Sequence, residues 1–259
     1  MIKTVKRIIG LCAITSLLAL SITSCQQPTG GDKPPVPEVK ELNLTYAQLD
    51  TEISNLAPGT YNLTVDTTGV PEDQFKGVVN LDSKISKPSP FGVKLSKAQD
   101  GVLFNLTFAF PDNVSDASSC FGSAVGSRLS HLIKSVTITK ANKLTYASYM
   151  FASCDKLEKV DISKFTNVTH IQYMFKSCSR LSSVDTTPFS KDVTDAQGLF
   201  HTCSALTTVI WGDNFKPATA SRMFKGVNAI NITASADSQT WIAKLKGGMQ
   251  LTNYTITEK

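Results

Sequence analysis

Met150-Phe151-Ala152-Ser153-Cys154-Asp155-Lys156-Leu157 is the stretch on which the fold turns, because it returns twice. The second copy is Met174-Phe175-Lys176-Ser177-Cys178-Ser179-Arg180-Leu181 and the third is Leu199-Phe200-His201-Thr202-Cys203-Ser204-Ala205-Leu206. The period is 24 residues from Met150 to Met174 and 25 from Met174 to Leu199. A fourth, degenerate copy opens at Met223-Phe224, with Val227 in the cysteine place and Ile230 in the leucine place. Upstream, Ile133, Val136 and Ile138 begin a partial copy, since Val136 precedes Met150 by the same 14 residues that separate Val160 from Met174.

After each cysteine the chain reads Leu157, Val160, Ile162, then Leu181, Val184, Thr186, then Leu206, Val209, Trp211. That spacing predicts a short strand whose alternate side chains face inward. One copy cannot cover its own apolar side, so neighbours are expected to stack. Phe151, Phe175, Phe200 and Phe224 would then form an inner aromatic ladder, and Phe165, Phe189 and Phe215 a second.

The phrase MFxxCxxLxxVDI, with Asn167-Val168-Thr169 before the next Met-Phe, resembles the BspA-like leucine-rich repeat family of surface lipoproteins. The resemblance covers about Ile133 to Thr233. It implies an α/β repeat fold, a leucine-rich-repeat solenoid of about 4 to 5 repeats of 24-25 residues with an α+β N-terminal cap. It also implies a cell-surface protein that binds or adheres, with no catalytic activity attached to the repeats.

Toward the N-terminus, Lys3, Lys6 and Arg7 precede the short apolar run Ile8 to Leu20, the pattern of a secretion signal. Ile22-Thr23-Ser24-Cys25 behind it resembles the lipobox of bacterial lipoproteins, in which the cysteine thiol takes the lipid; conventional secretory cleavage is the alternative. Gln26, where an Asp would mark inner-membrane retention, favours the outer membrane. Removal of residues 1–24 takes three of 26 basic residues and none of 21 acidic ones, so the formal excess falls from +5 to +2 and nucleic acid is dropped as a partner. Residues 25–41 then read as a lipidated cysteine and a Pro/Gly-rich tether, extended at about 3 Å per residue.

Residues 42–118 are expected to form the N-terminal cap. Tyr46, Leu49, Ile53 and Leu56 suggest a helix, Tyr61, Leu63 and Val65 a strand, and Pro71-Glu72-Asp73 the start of a short helix through Phe75, Val78 and Val79. Val93 and Leu95 suggest another strand, and Phe104, Leu106, Phe108 and Phe110, alternating with Asn105, Thr107 and Ala109, give the strongest strand signal in the chain. Residues 119–235 are assigned to the repeats. Residues 236–259, with Thr240 to Leu245 and Leu251 to Ile256, are assigned to a C-terminal cap.

Cys154, Cys178 and Cys203 recur once per copy, which suits a ladder of small buried thiols. Adjacent rungs about 4.8 Å apart would also permit a disulfide between two of them. Zinc is disfavoured because no CxxC or HxxxH spacing exists, and no other metal or cofactor is expected. Cys120 has no assignment. His131, His170 and His201 occupy different repeat places and read as surface residues, and no nucleophile-and-base signature points to an enzyme. Asp161 and Asp185 share an outward strand place that Ile210 interrupts; calcium or acid–base work is conceivable there, solvated sheet the plainer reading. The candidate binding face is the outward strip Lys159, Asp161, Ser163, Ser183, Asp185, Thr187, Thr208 and Ile210. Seven Asn-x-Ser/Thr triplets, among them Asn43, Asn62 and Asn105, carry no assignment. The expected role is a non-catalytic binding or adhesion lipoprotein contacting a host or bacterial surface protein or glycan. The alternative is a periplasm-facing structural or assembly lipoprotein of the outer membrane.

Overall fold

A computed structural model describes residues 38–80, 85–122 and 128–259. The signal-like run, the acceptor Cys25 and all of the tether before residue 38 lie outside the described residues. In chain order the regular elements are β1 (Val39–Thr45), α1 (Leu49–Glu52), β2 (Gly59–Asp66), β3 (Val78–Asn80), β4 (Ile85–Lys87), α2 (Pro90–Leu95) and β5 (Val102–Ala109). There follow β6 (Ile133–Lys140), β7 (Lys159–Asp161), β8 (Ser183–Asp185), β9 (Thr208–Ile210), β10 (Ile230–Ala234), α3 (Ala236–Met249) and β11 (Tyr254–Glu258).

Nine of these strands lie in two parallel sheets, one of five strands in the order β1-β2-β5-β6-β7 and one of four in the order β11-β10-β9-β8. β3 and β4 pair antiparallel beside them. This corrects the expected α/β leucine-rich-repeat solenoid with its α+β N-terminal cap. Helices are few, and between β6 and β10 the described residues contain none. The physical reason lies in the backbone of the repeated stretch. Tyr149, Tyr173, Gly198 and Arg222, each just before the Met or Leu of a copy, have φ of 58°, 55°, 60° and 57°. Ser153, Ser177, Thr202 and Gly226, two residues after each Phe, have φ of 66°, 61°, 58° and 78°. Two left-handed residues four apart cannot lie in a right-handed helix, so each copy passes through consecutive tight turns.

The cap is corrected for a second reason. β2 pairs with β5 from Gly59↔Val102 to Val65↔Phe108, and β5 pairs with β6 through Leu106↔Val136 and Phe108↔Ile138. The N-terminal strands therefore continue the sheet that β6 and β7 complete. Two local expectations change as well. The Val93–Leu95 segment is helical, because Ser89 accepts the Gly92 N–H at 3.2 Å and Pro90 starts the helix. The stretch after Pro71 makes one 3₁₀ turn, Glu72–Gln74, and then enters β3.

The core runs without interruption from Leu44 to Leu251. In its N-terminal half Phe75, Phe91, Phe108 and Phe110 meet edge to face, with centroids 4.9–5.6 Å apart. Phe121 hands this cluster on to a stack: Phe121–Phe151 at 5.7 Å, Phe151–Phe175 at 5.5 Å, Phe175–Phe200 at 5.9 Å and Phe200–Phe224 at 5.5 Å. Of the second series, Phe189 and Phe215 touch at 5.2 Å and Phe165 is buried. Among the described residues no helix is long and apolar enough to cross a membrane.

Candidate binding face

Along each parallel strand one set of side chains packs into the core and the other points away from it. The strip read from the sequence falls on the outward set. Lys159, Asp161, Ser163, Ser183, Asp185, Thr187 and Ile210 are exposed, and Thr208 is half-buried. Lys159, Asp161, Ser183, Asp185, Thr208 and Ile210 line one shallow groove of about 450 Å³, which spans the place where β7 and β8 meet. Ser163 and Thr187 join the two aspartates around a second groove, of about 320 Å³.

The aspartates are held by their own strand ends. The Ser163 N–H donates to Asp161 Oδ1 at 2.9 Å and the Thr187 N–H to Asp185 Oδ1 at 2.8 Å. Each carboxylate thus closes a turn at the end of its strand. Among the described residues no group of three or more His, Cys, Asp or Glu side chains is placed to hold a metal ion.

The face is wider than the strip. In the five-stranded sheet Glu41, Asn62, Asn105, Ser135 and Lys159 lie side by side in register, and so do Asn43, Thr64, Thr107, Thr137 and Asp161. In the four-stranded sheet Ser183, Thr208, Asn231 and Thr255 form one row and Asp185, Ile210, Thr233 and Thr257 the other. Four of the five side chains of the first row are bonded in series: Asn62 Nδ2 donates to Glu41 Oε1 at 2.6 Å, Asn105 Nδ2 to Asn62 Oδ1 at 2.9 Å and the Ser135 hydroxyl to Asn105 Oδ1 at 2.9 Å. A groove of about 610 Å³ lies over these residues. The signal for this extension was present in Asn43-Leu-Thr45, Asn62-Leu-Thr64, Asn105-Leu-Thr107 and Asn231-Ile-Thr233. Each triplet buries its middle aliphatic residue and turns its Asn outward.

The cysteines take no part in this face. Cys120, Cys154, Cys178 and Cys203 are free, buried thiols. Cys178 Sγ donates to the Phe151 carbonyl at 3.1 Å and Cys203 Sγ to the Phe175 carbonyl at 2.9 Å, while Cys154 Sγ is 3.7 Å from the Phe121 carbonyl. Burial pushes the thiols of Cys120 and Cys203 up to about 12 and those of Cys154 and Cys178 well above the usual range. Cys120 also gains a place: with Ser119 left-handed before it and Phe121 stacked behind it, it stands where Met150 and Met174 stand in later copies.

The histidines differ from one another. His131 Nδ1 is 2.7 Å from an Asp155 carboxylate oxygen. His170 stacks on exposed Tyr146 at 4.1 Å, and His201 is half-buried. No curated protein and no solved structure matches the chain. Residues 115–237, which span the turns and strands from Ser115 to the start of α3, are similar to a family described as "Mycoplasma protein of unknown function, DUF285".

Proposed function

We propose that the chain is a non-catalytic binding module, lipid-anchored through Cys25 at the outer membrane and contacting a host or bacterial surface protein or glycan through its outward sheet face. The observation that carries this reading is the face itself. Nine parallel strands bury their inner side chains and present outward rows of Asn, Thr, Ser, Asp and Lys, groups that exchange hydrogen bonds readily with polar polymers. The lipobox-like Ile22 to Cys25 and the proline-rich segment after it supply the anchor and spacer that such a module needs.

The test has two arms. Protease added to intact cells should cleave the protein, and Cys25→Ala should abolish its labelling by radioactive palmitate. Protection until lysis, with co-purification of envelope proteins, would replace this reading with the assembly role. On an array of matrix proteins and glycans the full chain should bind, and Asp161→Lys/Asp185→Lys should weaken that binding about tenfold or more. Undiminished binding by the double variant would remove the sheet face from the proposal.

A further inference from the structure

Lys176, His201 and Lys225 stand one after another on successive turns. The backbone fixes that register, since the Ser177 N–H donates to the His201 carbonyl at 2.8 Å and the Thr202 N–H to the Lys225 carbonyl at 2.6 Å. Each directly follows a ladder phenylalanine, Phe175, Phe200 or Phe224, whose ring centroids are 5.9 and 5.5 Å apart, so the row shares the pitch of the stack. Arg222 joins the row from its own turn, where the Lys225 N–H donates to the Arg222 carbonyl at 3.2 Å. Among the described residues none of Lys176, Arg222 and Lys225 has an ion-pair partner, whereas Lys76, Lys140 and Lys216 are each paired with an aspartate.

His201 registers this crowding. Its Nδ1 is buried without a hydrogen-bond partner. Burial, together with Lys176, Lys225 and Arg222, holds its imidazole below the usual histidine range. Cations set side by side repel one another, and a bound anion relieves that repulsion. We propose that Lys176, His201, Arg222 and Lys225 form a binding row for a linear anionic polysaccharide, sulfated or carboxylated, laid along the direction in which the turns stack.

Two observations favour a polysaccharide over an anionic membrane. The cations are strung along one direction at the ladder's pitch, which suits a chain carrying charge on successive units. None of the exposed large hydrophobic residues, Val39, Val78, Val93, Tyr146 and Ile210, belongs to the turns that carry the row, residues 173–177, 198–202 and 222–226, so these turns offer no exposed large apolar side chain to a bilayer. The row lies on the turn segments rather than the strands, and it stands or falls separately from the sheet face.

The test measures binding of the full chain to immobilised dextran sulfate and to unsulfated dextran at several salt concentrations. Dextran sulfate should bind and dextran should not, with affinity falling as salt rises. Lys176→Ala/Arg222→Ala/Lys225→Ala should weaken binding at least about tenfold. A control of equal charge change at exposed sites, Lys143→Ala/Lys164→Ala/Lys191→Ala, should change it by no more than about twofold. Lys176→Arg/Lys225→Arg should retain binding, and melting temperatures would establish that every variant is folded.

Tyr173 and the three cations are the groups that face His201. An anion laid on the row favours the protonated imidazole, so NMR titration should show the His201 pKa rise on saturation with dextran sulfate and binding tighten as pH falls. Equal binding by the cluster and control variants would overturn the proposal, as would an unmoved His201. If the row instead mediates binding to vesicles of phosphatidylglycerol and phosphatidylcholine while dextran sulfate fails to bind, it serves a lipid surface and the polysaccharide assignment is wrong.

Discussion

The sulfur of Cys178 shows what the stack asks of one side chain. The place is fully buried, its neighbour across the turn is the Phe151 carbonyl, and the side chain there must be compact, largely apolar and able to donate weakly. A thiol meets all three requirements, whereas Val227 in the fourth copy meets only the first two. Because burial holds Cys120, Cys154, Cys178 and Cys203 far from ionisation and out of reach of solvent, none of these four should react with a thiol reagent at pH 8 while the chain is folded. In guanidinium without reductant, Cys120, Cys154, Cys178 and Cys203 should all react. Fewer reactive thiols after unfolding would mean that two of them are bridged. Cys178→Ala should cost about 1–2 kcal/mol in urea unfolding, from the lost sulfur contacts and the lost weak S–H bond to the Phe151 carbonyl, which keeps the Cys154 N–H as a donor.

At the scale of the element, the turns matter more than the strands, which between β7 and β9 are only three residues long. Each copy accepts two left-handed residues, and the backbone bonds between turns stabilise that conformation: the Phe151 N–H donates to the Met174 carbonyl at 2.9 Å and the Phe175 N–H to the Leu199 carbonyl at 3.0 Å. Gly198 is the copy in which the first left-handed place carries no side chain, and a Cβ there would lie 2.2 Å from the Tyr173 ring. Gly198→Ala should therefore destabilise the fold by about 1–3 kcal/mol, part from the positive φ and part from displacing Tyr173 off Tyr149, on which it stacks at 5.0 Å. The two parts separate in a double-mutant cycle with Tyr173→Ala, in which the second part should vanish. Additive costs would mean that the ring is not the obstacle.

These elements also mark where sequence reasoning reaches and where it stops. Identical residues at a fixed period announce stacking whatever the backbone does between them, so the phenylalanine and cysteine ladders could be placed from spacing alone. Alternation in Phe104 to Phe110 likewise gave the faces of β5. The path between strands was not legible, because Tyr149, Ser153, Tyr173 and Ser177 are not residues whose chemistry announces a left-handed turn. Val93 and Leu95 misled for a related reason: two aliphatic residues fit a strand, and the Ser89 cap four residues before Val93 decides for a helix. The N-terminal half of the binding face was missed because its pairings, such as Asn62 with Asn105, join residues 43 apart: the Asn-aliphatic-Thr triplets recur in the sequence, but nothing local to them says which strands lie side by side.

For the whole molecule, the question is whether residues 38–118 are an appendage of the repeats or part of their core. Phe108 packs on Phe121 at 5.7 Å and Phe91 on the same ring at 5.4 Å, and Phe121 is the first ring of the stack. The Ser119 N–H donates to the Ser148 carbonyl and the Ala117 N–H to the Tyr146 carbonyl, both within 2.9 Å, so the turns that bracket the boundary are bonded to the next copy in one continuous series. Ser89 donates to the Cys120 carbonyl at 2.9 Å, and a Cβ on Gly92 would lie 2.6 Å from that oxygen, which leaves no slack between α2 and the turn. A fragment of residues 119–259 would expose the inner face of Phe121, the edge of β6 and the apolar side chains that β5 covers. It should therefore show no cooperative thermal transition and should bind a hydrophobic dye, while residues 38–259 melt in a single step. A fragment that melts cooperatively near the temperature of the longer chain would establish the N-terminal part as separable after all, and would confine the binding face to the strands from β6 onward.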